Sequence, residues 1–225
     1  MKIMVVLPGK MPEDEIEHRR NYLQRLVSFG TEVEVVGLDF GPTVIEELHD
    51  VYLLIPGILR RVKEANDRGF DAVAIHCFAD PGLEASKSIS RIPVLGGCKT
   101  SLHIASLLAE KIAIITFTDK LIPYIWKLAK LYGIYEAVIS IRALNIPILE
   151  LRDRKDEVKA KFAELAKLAK GEGADIIVPG CLAILPAMGP ESTKELEEEA
   201  SIQILDPSKV LMKTAEMVCS LTSIH

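Results

Sequence analysis

The chain has 225 residues, 49% of them apolar and 26% charged, so it can bury the core of one large domain or of two small lobes. Its net charge of −5, with dispersed charge and few aromatic residues, disfavours nucleic acid as a partner. The apolar runs are too short to cross a bilayer, and the one at the amino terminus is too short for a signal peptide. We therefore expect no membrane partner. The four cysteines form no CxxC pair and no short-spaced metal set, which predicts a cytoplasmic protein with reduced thiols.

Short apolar strands alternate with amphipathic helices along the first half of the chain. We predict strands at 2–7, 32–38, 71–75 and 94–95, and helices at 13–29, 53–68 and 81–88, with a loop or short helix at 44–50. The strand at 71–75 is almost continuously apolar, which is typical of a parallel strand covered on both faces. This alternation predicts an α/β fold with parallel sheets and right-handed crossovers.

The second half of the chain repeats the pattern of the first half. Three residues around the third strand recur after 104 positions: Gly69 and Gly173, Asp71 and Asp175, Cys77 and Cys181. Further strands are predicted at 111–117, 137–143, 175–178 and 202–205, and further helices at 121–131, 155–170 and from about 191 onward. A repeat of about a hundred residues indicates two lobes related by a pseudo-twofold axis.

The lobes are predicted to be residues 1–97 with 206–225, and residues 98–205. Helices at 100–109 and 208–221 follow the last strand of each lobe, and the second of them crosses back to the first lobe. Ligands of open parallel sheets bind at the carboxyl ends of the strands. We therefore expect the active site in the cleft between the lobes.

Cys77 and Cys181 are the candidate catalytic residues, because each follows the third strand of its lobe. Two opposed thiols at one carbon can remove a proton from one face and return it to the other. Such a pair requires sulfurs about 7 Å apart, since each must approach the carbon to roughly 3–3.5 Å. The other two cysteines, Cys98 and Cys219, are interpreted as core residues.

Backbone and hydroxyl donors near these cysteines are candidate substrate-binding groups. The N–H groups of four residues could bind a developing oxyanion: Phe78, Ala79, Leu182 and Ala183. Thr116 and Thr118 could donate to a bound carbonyl, and surface or turn roles are equally open for both. His76 is expected to be packed or hydrogen-bonded, and Asp80 to cap the helix starting at Pro81. No cysteine spacing is typical of a metal site, so we predict none.

Two motifs resemble a known family. Cys77-Phe78-Ala79-Asp80-Pro81-Gly82-Leu83 resembles the Cys-Phe-Gly-Asp-Pro-Gly-Leu segment of hydantoin racemases, and Gly180-Cys181-Leu182-Ala183-Ile184 resembles their Gly-Cys-Ala-Gly-Met. The chain is thus similar to the aspartate/glutamate/hydantoin racemase superfamily. The resemblance implies two flavodoxin-like lobes, no cofactor, and Cys77 and Cys181 as bases. We also expect a small-molecule substrate and a homo-oligomer.

Departures from the family pattern bear on the substrate. Hydantoin racemases usually carry Asn-Pro-Asn after the first strand, whereas this chain has Leu7-Pro8-Gly9, so Pro8 and Gly9 are predicted to line an altered pocket. The Cys-Asn-Thr of aspartate and glutamate racemases is replaced by Cys77-Phe78-Ala79, which favours a neutral or ring substrate.

The leading hypothesis is a cofactor-independent racemase acting at C5 of 5-substituted hydantoins or of related cyclic ureides such as allantoin. The alternatives are an amino-acid racemase or related isomerase, a binding protein on the same scaffold, and a redox pair of thiols.

Overall fold

The computed structural model describes residues 1–221, which form two compact units. Unit 1 contains Met1–Thr100 and the described chain from Ser208 onward, and unit 2 contains Ser101–Pro207. Each unit is built around its own four-stranded parallel sheet. None of the helices within residues 1–221 combines the length and apolar character needed to cross a membrane.

The sheet of unit 1 has the strand order β2-β1-β3-β4. Its strands are β1 (Lys2–Val6), β2 (Glu32–Val36), β3 (Ala72–Ile75) and β4 (Val94–Gly96). The connecting helices are α1 (Glu13–Gln24), α2 (Leu48–Asp67), α3 (Leu83–Ile89) and α4 (Gly97–Leu108). All residues of β3 are buried, as expected for a central parallel strand covered on both faces.

The sheet of unit 2 has the equivalent order, β6-β5-β7-β8. Its strands are β5 (Ile112–Thr116), β6 (Val138–Ala143), β7 (Ile176–Pro179) and β8 (Gln203–Ile204). Its helices are α5 (Ile122–Leu131), α6 (Lys155–Gly171), α7 (Ile184–Met188) and α8 (Ser192–Ala200), and α9 (Pro207–Leu221) then returns the chain to unit 1. The sequence repeat is therefore a repeat of topology, and the predicted fold class of two parallel α/β sheets is confirmed.

Two helices differ from their predicted bounds for reasons that lie in side-chain hydrogen bonds. The predicted helix at 13–29 ends at Gln24, whose amide donates to the Thr31 carbonyl at 2.8 Å and accepts the Val33 N–H at 3.0 Å. These two hydrogen bonds hold the end of α1 beside the start of β2. The helix predicted from residue 53 begins at Leu48, because Asp50 accepts the N–H groups preceding the helix and caps it.

Glu216 of α9 ties this helix to the segment between α1 and β2. Its carboxylate accepts the backbone N–H of Ser28 at 2.7 Å, the hydroxyl of Thr31 at 2.7 Å and the Lys213 ammonium at 2.8 Å. Burial of the carboxylate raises its pKa, but these donors stabilise the charged form more strongly. The net effect lowers the pKa of Glu216 to about 2. The carboxylate therefore stabilises the folded unit at neutral pH.

Candidate active site

The loop that follows β3 carries Cys77. This segment, His76–Asp80, is called the Cys77 loop below. Its central thiol is partly exposed, and the N–H of Ala79 donates to the Cys77 sulfur at 3.4 Å. The N–H of Asp80 donates to the Cys77 carbonyl at 3.3 Å, which closes a tight turn. A donor aimed at the sulfur stabilises a negative charge there, as a carbon base requires. The Ala79 N–H, which we predicted to bind substrate, donates to the thiol in this structure, and its contact with a substrate stays a prediction.

Asp80 caps a different helix from the predicted one. Its carboxylate accepts the N–H groups of Cys98 at 3.0 Å and Lys99 at 2.8 Å, in the first turn of α4. Helix α3 begins at Leu83, two residues later than predicted, and no side chain caps it. The prediction was wrong because a sequence motif shows only the local helix, whereas the backbone of Asp80 is left-handed, with φ +45°, and its side chain reaches α4.

His76 is buried beside the strand end. Its Nε2 lies 2.9 Å from the hydroxyl oxygen of Ser208 in the first turn of α9. Burial lowers the pKa of this imidazole well below 6.5, and the positive charge of Arg19 lowers it further. The expectation of a hydrogen-bonded histidine is confirmed, and the ring is neutral at neutral pH.

The other two cysteines are core residues, as predicted. Cys98 is fully buried and Cys219 is 8% exposed. Burial raises the pKa of the Cys98 thiol well above its usual value, and the nearby Asp80 carboxylate raises it further. Burial likewise raises the pKa of Cys219. Both groups are therefore thiols at neutral pH and poor bases.

In unit 2, Cys181 follows β7 through a glycine that packs directly on β5. Gly180 donates to the Ile115 carbonyl at 2.7 Å and accepts the Thr116 hydroxyl at 3.1 Å. A Cβ atom on Gly180 would lie 2.7 Å from a methyl carbon of Ile114. This close approach fixes the residue before Cys181 against the central strand of the sheet, and Cys181 itself is 9% exposed.

The two threonines at the carboxyl end of β5 have separate contacts. Thr116 is fully buried, and its hydroxyl donates to the Gly180 carbonyl at 3.1 Å, while its donation to a substrate carbonyl stays a prediction. Thr118 is partly exposed and its oxygen accepts the Lys120 N–H at 3.4 Å, so its hydroxyl hydrogen can still reach a ligand. Leu182 and Ala183 are buried and lead directly into α7.

The loop after β1 packs against the loop after β2. Gly9 has φ +151°, and a Cβ atom there would lie 2.6 Å from the carbonyl oxygen of Thr43. Pro8 is partly exposed. Only glycine fits this approach, so the two loops form one edge at the carboxyl end of the sheet. Within residues 1–221, no cluster of histidine, cysteine, aspartate and glutamate side chains is suited to hold a metal ion.

Comparisons with known proteins agree with this architecture. A hydantoin racemase from Pseudomonas sp. (strain NS671) is 29% identical over an alignment of 224 residues, and the match covers 98% of this chain and 87% of the relative. A hydantoin racemase from Paenarthrobacter aurescens is 26% identical over 98% of this chain and 92% of its own. An allantoin racemase from Klebsiella pneumoniae superposes with a TM-score of 0.89 at 24% identity, covering 98% of this chain and 88% of that one.

In each unit, the third strand along the chain is followed by a cysteine. Together with the similarities above, this architecture identifies the protein as an isomerase. The model of the Asp/Glu/hydantoin racemase family matches residues 18–215, and the chain belongs to this family.

Proposed function

We propose that the protein is a cofactor-independent racemase that inverts C5 of 5-substituted hydantoins or of related cyclic ureides such as allantoin. The observation that carries the proposal is the cysteine at the same place in both units, two residues after the end of β3 and two residues after the end of β7. The names of the relatives, hydantoin racemase and allantoin racemase, indicate the substrate class.

Each thiol would serve one face of the substrate carbon. The thiolate of Cys77 removes the C5 proton from one enantiomer, and the electron pair of the broken C–H bond moves into the adjacent carbonyl as an enolate. The thiol of Cys181 then donates its proton to the opposite face, which leaves Cys181 as thiolate and Cys77 as thiol. The opposite enantiomer reacts with the roles exchanged, so the two groups titrate as a coupled pair.

The remaining groups near the thiols are proposed to bind the ureide. Backbone N–H groups are suited to the enolate oxygen, because they are fixed before the charge develops. The proposed lining residues are Pro8, Gly9, Phe78, Thr118, Leu182 and Ala183. Phe78, Leu182 and Ala183 are apolar and buried, which favours a neutral ring over a charged amino acid.

Deuterium exchange in heavy water tests the proposal. Both enantiomers of several hydantoins, allantoin and free amino acids are incubated with enzyme, and the C–H signal is followed by proton NMR against an enzyme-free blank. We expect exchange with inversion for a cyclic ureide. Exchange only with amino acids would refute the cyclic ureide as substrate and indicate an amino-acid racemase. No exchange with any compound would refute the proposal.

Cysteine variants test the two-base mechanism. Cys77→Ser and Cys181→Ser should each abolish racemisation, because each direction needs one base and one acid, while each keeps exchange at the face of the surviving thiol. The two variants should therefore exchange opposite enantiomers. Cys98→Ser and Cys219→Ser are controls in the core and should turn over normally. A single active-site variant that racemises at the wild-type rate would contradict the mechanism.

A further inference from the structure

Two helices hold the two ends of the Cys77 loop. At its end, Asp80 accepts two N–H groups from the first turn of α4, at 3.0 and 2.8 Å. At its start, His76 lies 2.9 Å from the hydroxyl oxygen of Ser208 in the first turn of α9. Asp80 is 5% exposed, His76 3% and Ser208 fully buried. The base proposed for one face of the substrate therefore lies between two buried anchors.

The backbone of Asp80 lies in the left-handed region, with φ of +45°. This conformation carries an energetic cost for residues other than glycine. Two charge-assisted hydrogen bonds to α4 and the bond from its own N–H to the Cys77 carbonyl offset this cost. A Cβ atom on Gly96 would lie 2.4 Å from the Asp80 carboxylate, so the fit also requires glycine in β4.

We propose that Asp80 is a positioning residue for Cys77, and that the pair of His76 and Ser208 fixes the other end of the same loop. The inference rests on the proposed function, because it takes Cys77 to be the base that removes the C5 proton on one face of the substrate. Asp80 itself neither takes nor gives a proton, since both of its oxygens accept backbone N–H groups. Its effect comes through placement, and a displacement of 1 Å can cost about a hundredfold in rate.

Asp80→Asn is the direct test. Asparagine also adopts the left-handed region readily, so the substitution adds no backbone strain at position 80. It removes the charge and one of the two acceptors of the α4 N–H groups. We expect kcat to fall roughly ten- to a hundredfold with KM near its wild-type value. In heavy water, exchange at the face served by Cys77 should fall by the same factor, and exchange at the face served by Cys181 should remain. The single variants Cys77→Ser and Cys181→Ser define which face is which.

The one-sided loss separates positioning from a general loss of structure, because partial unfolding would slow exchange at both faces equally. Asp71→Asn is the matched control: the Asp71 carboxylate accepts the Lys2 N–H at 2.6 Å, at the opposite end of β3. It should exchange at both faces like the wild type. If Asp80→Asn does not fold, Ser208→Ala serves as the second variant. It should give a smaller loss of deuterium exchange at the face served by Cys77. Equal losses at both faces, or none in either variant, would overturn the inference.

Alkylation of the free enzyme distinguishes this inference from the proposed function. Iodoacetamide labelling of Cys77 at pH 7 is followed by peptide mass spectrometry, without substrate. In Asp80→Asn the rate should rise severalfold, because the loop loosens and a neighbouring negative charge is removed. If the labelling rate of Cys77 rises in Asp80→Asn but the wild type racemises no compound, the proposed function is refuted and the anchoring of Cys77 by Asp80 is supported. Unaltered labelling with normal turnover would refute the positioning role.

Discussion

Replacing Glu216 by glutamine should destabilise the protein at neutral pH and much less in acid. The pKa of the carboxyl is about 2 in the folded chain, against an ordinary value of 4.5. At about 1.4 kcal/mol per unit, this difference sets a ceiling of about 3 kcal/mol. The side chain is 13% exposed, and solvent screening reduces the expected loss to about 2 kcal/mol. Because the folded pKa is lowered, this stabilisation is complete above pH 4.5 and is lost as the pH falls toward 2.

Urea unfolding followed by circular dichroism, at pH 7 and pH 3, measures both parts of this prediction. The matched control is Glu199→Gln, because Glu199 pairs with Lys167 at 2.9 Å with both side chains half exposed. The control should stay within about 0.5 kcal/mol of the wild type. A loss at pH 7 no larger than in the control would refute the reasoning. So would a Glu216→Gln loss that does not shrink by at least half at pH 3.

Three further outcomes are expected in unit 2 and at the end of β3. Gly180→Ala should cost about 1–3 kcal/mol by urea unfolding because its Cβ has no space, whereas Gly171→Ala, with nothing within 4 Å, should be neutral or stabilising. Thr116→Val should cost about 1–2 kcal/mol because it leaves the Gly180 carbonyl without its donor; a neutral effect would contradict the assigned bond. Because the pKa of His76 is lowered in the folded state, the protein should lose stability as the pH falls below 6.5. His76→Gln should reduce that part of the pH dependence of the urea midpoint.

The sequence allowed the strands and the two cysteine positions to be located because these features are local and repeated. The apolar run of β3 and its end at Cys77 follow directly from residue order, and the spacing to Cys181 shows the repeat. The catalytic role of the two thiols remains a prediction.

The sequence did not show which distant residues the side chains contact. Asp80 caps a helix that begins 17 residues later, and Thr116 donates to Gly180, which is 64 residues away. Neither partner can be identified from neighbouring residues. The φ of Asp80, which directs its carboxylate to α4, is set by tertiary contacts and leaves no pattern in the sequence.

The residues before the two cysteines differ between the units, and this difference bears on how the proposed racemase would be saturated by its two substrates. His76 is bonded to α9 in unit 1, whereas the equivalent Gly180 has no side chain and packs on β5 in unit 2. Enantiomers have equal free energy in water, so a racemase must have the same kcat/KM in both directions. In the proposed two-thiol mechanism, the unlike surroundings of the two thiols change kcat and KM by the same factor between the enantiomers. The two enantiomers should saturate the enzyme at different concentrations and give different maximal rates, although the equilibrium mixture is always racemic.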